Sequence, residues 1–132
     1  MKLVPLREVA HSRAGEKGDD VQLSVIAYNE EDFPLIREQV TVAVISAAYG
    51  PILQSVVERY EVPNIAALNF VLHNALSGGR SRTIAFEESG KALSSLILAH
   101  QIEVPEEYVL RSATVRRELG EALDEASEET PR

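Results

Sequence analysis

A chain of 132 residues suits one domain and is long enough to bury a self-sufficient core. It has no cysteine, which excludes disulfides, thiolate nucleophiles and Cys-ligated metals and fits a reducing compartment. The net charge is −8. Nine acidic and four basic residues from Glu103 onward hold −5 of it, leaving −3 for residues 1–102 with no basic cluster, so nucleic acid is excluded as a partner. No apolar run approaches the ~20 residues of a membrane span, and Met1–Leu6 does not read as a secretory leader. The expected setting is therefore cytoplasmic, away from membranes.

Leu3–Ala10 reads as a strand with Pro5 near its start, where a missing N–H is tolerated. His11–Asp20 reads as a polar loop carrying Gly15 and Gly18. Val21–Tyr28 is the clearest strand: Val21, Leu23, Val25 and Ala27 share one face, and Gln22, Ser24, Ile26 and Tyr28 the other. Asn29 is placed to cap helical territory, with Phe33–Gln39 and Thr41–Ala48 as two short helices or one broken helix, stopped by Gly50-Pro51. Leu53–Glu61 reads as a strand ended by Pro63. Asn64 then caps an expected helix to about Leu76, with Ile65, Leu68, Leu72, Ala75 and Leu76 on one stripe and Gly78-Gly79 as its stop. Ser81–Glu87 is expected as a short strand, and Lys91–His100 as a helix with Leu93, Leu96 and Ile97 inward. Val104-Pro105 breaks the chain again. The tail from Glu106 to about Ser127 is helix-prone, charged and weakly amphipathic, and residues beyond it are expected to fray. This order predicts an α+β domain over 1–105, with one sheet of about four strands, antiparallel or mixed, covered by helices, followed by an acidic helical tail over 106–132.

Two segments carry the residue types that bind ligands. In His11–Asp20 the glycines permit close backbone approach, and Ser12, Arg13, Gly15, Lys17, Gly18 and Asp19 combine a possible amide nest with positive charge. The spacing is neither a Walker motif nor a dinucleotide fingerprint, and a connection held by its own Asp and Ser side chains is the competing reading. In Asn64–Arg82, Asn69 and His73 fall on one side at a spacing that would bracket a carbonyl, or would simply mark the packing boundary. Gly78, Gly79, Arg80, Ser81 and Arg82 form a cationic turn suited to a phosphate or carboxylate, or else solvated. His11, His73 and His100 share no metal-binding spacing, no nucleophile elbow is present, and the adjacent Asp19 and Asp20 would point apart in an extended chain. The residues thus assign no catalytic role, metal or cofactor. In the tail, Tyr108, Val109, Leu110, Val115, Leu119 and Leu123 supply an apolar edge for a partner, against the alternative of a solvated helix.

Ser12-Arg13-Ala14-Gly15-Glu16-Lys17-Gly18-Asp19-Asp20 resembles the SGDKGD-type loop that opens the small C-terminal domain of AtuA-family proteins. Arg59–Leu72 is similar to that family's RYELPN…ALNFVL stretch, Ser77-Gly78-Gly79 and Ser81-Arg82 to its glycine-rich turn, and Gly90-Lys91-Ala92-Leu93 to its next helix start. The resemblance covers roughly residues 3–105. Ala14 stands where the family has Ser, Glu16 where it has Asp, and Gln22-Leu23-Ser24 where it has an Asn-Ile-Gly pattern. The resemblance implies a ferredoxin-like α+β fold and an association with the catabolism of acyclic terpenes or branched acyl-CoA compounds. It supplies no catalytic residues. In many members this domain is fused behind a larger one, so a separate larger AtuA-type chain is the expected partner. An acyl-CoA or small-carboxylate binding domain or enzyme, and a self-assembling homo-oligomer, are the alternatives.

Overall fold

Pro5 divides the first expected strand in two. The structure, a computed structural model, describes residues 1–17, 20–49, 56–73 and 90–129. β1 (Lys2–Pro5) leads into a 3-10 turn at Leu6–Glu8, after which β2 (Ala10–Lys17) runs in a different sheet. The segment expected as a loop, His11 onward, is therefore strand as far as Lys17. Its polar composition misleads because one side of this strand is open to water. Small residues, Ala10, Ser12 and Ala14, alternate toward the core, and His11, Arg13 and Gly15 alternate outward.

β2 pairs antiparallel with β3 (Asp20–Ala27) from Ala10↔Ala27 to Lys17↔Asp20. Of the two expected faces of β3, the one made by Val21, Leu23, Val25 and Ala27 is buried throughout. A 3-10 turn at Glu30–Asp32 enters α1 (Phe33–Gln39), and α2 (Val42–Tyr49) follows after a break, so the two short helices form as expected. Asn29 occupies the cap position of that turn without a side-chain hydrogen bond, whereas Thr41 Oγ1 accepts the Val44 N–H at 3.2 Å and caps α2. The expected stop at Gly50-Pro51 lies outside the described residues.

β4 (Val57–Val62) reaches a 3-10 turn at Pro63–Ile65, and Ala66 adopts a left-handed conformation (φ 52°) that reverses the chain. β5 (Ala67–Leu72) then runs back along β4. Here the expectation of a helix from Asn64 is overturned. Leu68 and Leu72 suit a helical stripe and a strand face equally, being four apart. Phe70 decides between them, since Leu68, Phe70 and Leu72 are all buried at a period of two. Ile65, assigned to the helical stripe, is instead 60% exposed on the turn.

The expected strand Ser81–Glu87 lies outside the described residues, as do Ala75 and Leu76. α3 (Gly90–Leu98) buries Ile97 as expected but leaves Leu96 half exposed, because Leu98 rather than Leu96 packs on the core. β6 (Gln101–Val104) was not anticipated. It pairs antiparallel with β1, Lys2↔Val104 to Pro5↔Gln101, burying Ile102 and Val104 and exposing Gln101 and Glu103. Four residues are too few to signal a strand without the partner that orders them. After a turn at Glu106–Glu107, α4 (Arg111–Glu129) completes the described chain.

The molecule is α+β, with a four-stranded antiparallel sheet of order β2-β3-β5-β4 and a two-stranded sheet β1-β6 among the described residues. The core joins Leu23, Leu68, Phe70 and Leu72 of the larger sheet to Ile36, Ile45, Tyr49 and Ile97 of the helices. Burial pushes the Tyr49 hydroxyl well above its ordinary range, and a backbone hydrogen bond with Ile97 works against that rise. The smaller sheet is tied to α1 by Gln39, whose amide donates to Glu103 O at 2.8 Å and accepts from Glu103 N at 2.7 Å, as a further backbone strand would.

Candidate functional site

The register places two different surfaces on the larger sheet. Its inner face carries the core. On its outer face, Arg13, Ser24, Asn69 and Tyr60 form one row across all four strands, since Arg13 opposes Ser24, Ser24 opposes Asn69, and Asn69 opposes Tyr60. The next row is Gly15, Gln22, Val71 and Glu58. Arg13, Ala14, Gly15, Gln22, Ser24 and Asn69 line an open depression of about 270 Å³. Gly15 sits in extended strand rather than in a left-handed turn, and a Cβ there would meet nothing within 4 Å. Its contribution is to leave the floor of the depression low, not to supply an unusual backbone angle. Ser24 Oγ donates to Arg13 O at 3.3 Å, fastening the two strands beneath the row.

One end of this face is charged. His73 stands between two carboxylates, with Nδ1 3.4 Å from Asp20 Oδ2 and Nε2 3.2 Å from Glu58 Oε1. The Glu58 approach lacks hydrogen-bond alignment, and Nε2 is buried with no hydrogen-bond partner among the described residues. The Tyr60 hydroxyl donates to Glu58 Oε2. That bond, ahead of the attraction of His73, holds the Glu58 carboxyl below its usual range, and the same bond with the negative charge behind it raises Tyr60. The opposite end of the face is closed by stacking: His11 lies 5.1 Å from the Tyr28 ring, and the Arg111 guanidinium lies 3.6 Å over it.

The expected site residues thus separate. Arg13, Gly15, Asn69 and His73 lie on the open face, with Asn69 and His73 together because alternate strand residues share a face, not because of a helical repeat. Ser12 is in the alternating set that faces the core, opposite Val25, and its Oγ is buried with no hydrogen-bond partner among the described residues. Lys17 ends β2 by pairing with Asp20. Gly18, Asp19, Gly78, Gly79, Arg80, Ser81 and Arg82 lie outside the described residues. Sequence reading did not single out Glu58 and Tyr60. The signal was present, because alternation in β4 puts both on one side, but only the β4–β5 register places them beside Asn69 and His73.

Among the described residues no group of three or more His, Cys, Asp and Glu side chains could hold a metal ion. No described helix is long and apolar enough to cross a membrane. The sequence matches the family model described as the AtuA ferredoxin-like domain over residues 4–103. Neither the curated proteins nor the solved structures contain a match. Running from within β1 to within β6, and so over the whole of the sheet that carries the open face, the match shows that the chain belongs to the AtuA ferredoxin-like domain family.

Proposed function

We propose that this protein is an accessory domain that seats the open face of its four-stranded sheet on a larger AtuA-type chain and works with it in acyclic terpene or branched acyl-CoA catabolism in the cytoplasm. The observation that carries the reading is the row Arg13–Ser24–Asn69–Tyr60, a polar strip crossing every strand of the sheet on a face that no other described element covers. Isolated sheets with one wet face are ordinary. This one is furnished with a guanidinium, a hydroxyl, an amide and a phenol in line, a set able to satisfy the backbone or side chains of a partner. Family membership supports the identity of that partner. We place the domain boundary near residue 105, with the acidic helical tail beyond it outside the docking unit.

The test is co-expression with a larger AtuA-type chain, followed by co-purification at micromolar concentration. A stable complex is expected, and Asn69→Arg, which changes an outward side chain in the middle of the row, should abolish it while leaving thermal stability unchanged. A wild-type domain that does not associate overturns the reading.

The depression favours a second reading. Arg13 and the Asn69 amide share its lining, which suits a small carboxylate or the phosphate of an acyl-CoA. On that reading a saturating thioester at about 100 times its dissociation constant stabilises the domain by about 2.7 kcal/mol. No thermal shift with any CoA thioester removes it.

A further inference from the structure

Helix α4 lacks the support that the other helices have. Its 19 residues extend about 28 Å, and among the described residues its side-chain ties to the body of the domain lie at its base. There the Ser112 N–H donates to Glu8 Oε2 at 2.8 Å and Arg111 stacks on Tyr28. From Arg116 to Ala126 every residue is exposed except the partly exposed Gly120. Most of a helix's stability in a protein comes from packing its apolar face rather than from propensity, and glycine in its middle costs about 1 kcal/mol relative to alanine. The charges oppose it as well. The first turn has no acid and the last no base. Arg111, Arg116 and Arg117 occupy the N-terminal half, where Glu118 is the one acid, while Glu121, Asp124 and Glu125 occupy the C-terminal half. That order is the reverse of what the helix macrodipole favours. Along one side, Val115, Leu119 and Leu123 recur every four residues and are 44%, 58% and 61% exposed, an apolar stripe facing solvent.

One partner answers all of these features together. When a second copy of α4 lies antiparallel against the first, stripe meets stripe and the acidic half of each helix runs along the basic half of the other. The basic half continues into the body of the domain. A cleft of about 360 Å³ at the base of α4 is lined by Arg7, Arg111 and Arg116 together with Glu8, whose carboxylate is engaged by Ser112. The acidic half of the second helix is directed toward that cleft. A parallel arrangement would instead set arginine on arginine and acid on acid.

We propose that α4 is a dimerisation arm, and that two copies of this protein pair through it antiparallel about a two-fold axis near Leu119. Such a contact is isologous and closes on itself, giving dimers and not fibres. Three large apolar side chains per helix form a small interface, so complementary charge contributes much of the affinity and the dimer weakens with salt. The arm uses neither the row on the open sheet face nor its depression, so the two proposals stand or fall separately.

The full-length protein decides the matter by sedimentation. A dimer of the 14.5 kDa chain is expected at low ionic strength, shifting toward monomer as salt rises from about 0.1 M to about 1 M and the Debye length falls from about 10 Å to 3 Å. Leu119→Glu should give monomer at every salt concentration, with circular dichroism confirming that the domain remains folded. Orientation is tested by disulfide trapping, which the cysteine-free sequence keeps clean. Ser112→Cys mixed with Ala126→Cys should cross-link, while neither variant alone should. A monomeric wild type at tens of micromolar in low salt, a dimer that survives Leu119→Glu, or cross-linking of each cysteine variant to itself would overturn the proposal. Each outcome leaves association with a larger AtuA-type chain to be judged by Asn69→Arg.

Discussion

Two faces of one sheet, built from alternate residues of the same strands, carry different burdens. Leu23 and Phe70 face inward and are essentially inaccessible, whereas their neighbours Gln22 and Asn69 face outward onto an open depression. Nothing but strand parity separates the two sets. The inner set is interchangeable in chemistry and demanding in volume. The outer set is relaxed in volume and particular in chemistry. The difference teaches that a single strand residue can be read for stability or for recognition only after its parity and its neighbour across the ladder are known.

This contrast is sharpest at Phe70. Replacing it by alanine leaves a cavity between the sheet and the helices and should cost about 3–5 kcal/mol, measured by denaturant unfolding. Asn69→Ala, one residue away, should stay within about 0.5 kcal/mol in the same experiment, as outward substitutions do. Comparable losses at the two positions would break the distinction.

A smaller effect is expected at the rim, where Asp32 is nearly buried and accepts a hydrogen bond from the Tyr108 hydroxyl at 2.7 Å. Lys2 Nζ donates to Tyr108 O at 2.9 Å, so this tyrosine straps the segment before α4 across both β1 and the entry to α1. Burial first, then the Asp32 carboxylate, pushes the Tyr108 hydroxyl far above its ordinary range. Tyr108→Phe removes the donor from a nearly buried charge and should destabilise by about 1.5–3 kcal/mol. An unchanged unfolding midpoint would show that the strap contributes nothing.

The smallest effect belongs to the outer face and appears as a pH dependence. Glu58 is held below its ordinary value of 4.5, chiefly by Tyr60. A depressed carboxyl adds stability above the unfolded value and loses it as pH falls through the folded one. Tyr60 is raised above its ordinary value of 10.0. Its contribution is present below that value and is lost as pH climbs through the folded one. Tyr60→Phe should therefore bring the Glu58 titration, followed by NMR, up toward the ordinary carboxyl range. It should also flatten the stability profile below about pH 4.5. A Glu58 titration that does not move would mean that another group holds it.

Much of the architecture is legible along the chain. The alternation Val21, Leu23, Val25, Ala27 identifies β3, and the helices at Phe33–Gln39 and Val42–Tyr49 fall where apolar spacing and Thr41 place them. The failures share a cause. β2 reads as a loop because its outward residues are polar and its inward ones small. β5 reads as a helix because Leu68 and Leu72 satisfy both periods. β6 is four residues long. In each case the local signal is ambiguous and the neighbouring strand resolves it through ladder hydrogen bonds that no single segment contains. The same holds for the site. Arg13, Asn69 and His73 stand out as residue types, but their company, Ser24, Tyr60, Glu58 and Asp20, is set by pairing.

By itself the sequence determined the membership of this chain, its α+β character, the absence of thiol chemistry, and the uneven charge that leaves the last helix acidic at one half and basic at the other. These follow from composition, order and local pattern, which survive without coordinates. The tertiary structure alone decided which side of each strand faces water, that β1 finds β6 across the length of the domain, that Asp20, His73, Glu58 and Tyr60 meet at one end of a face, and that α4 stands with its apolar stripe uncovered. Those are consequences of register and packing between segments far apart in the chain, where one residue of slip would exchange the two faces of the sheet.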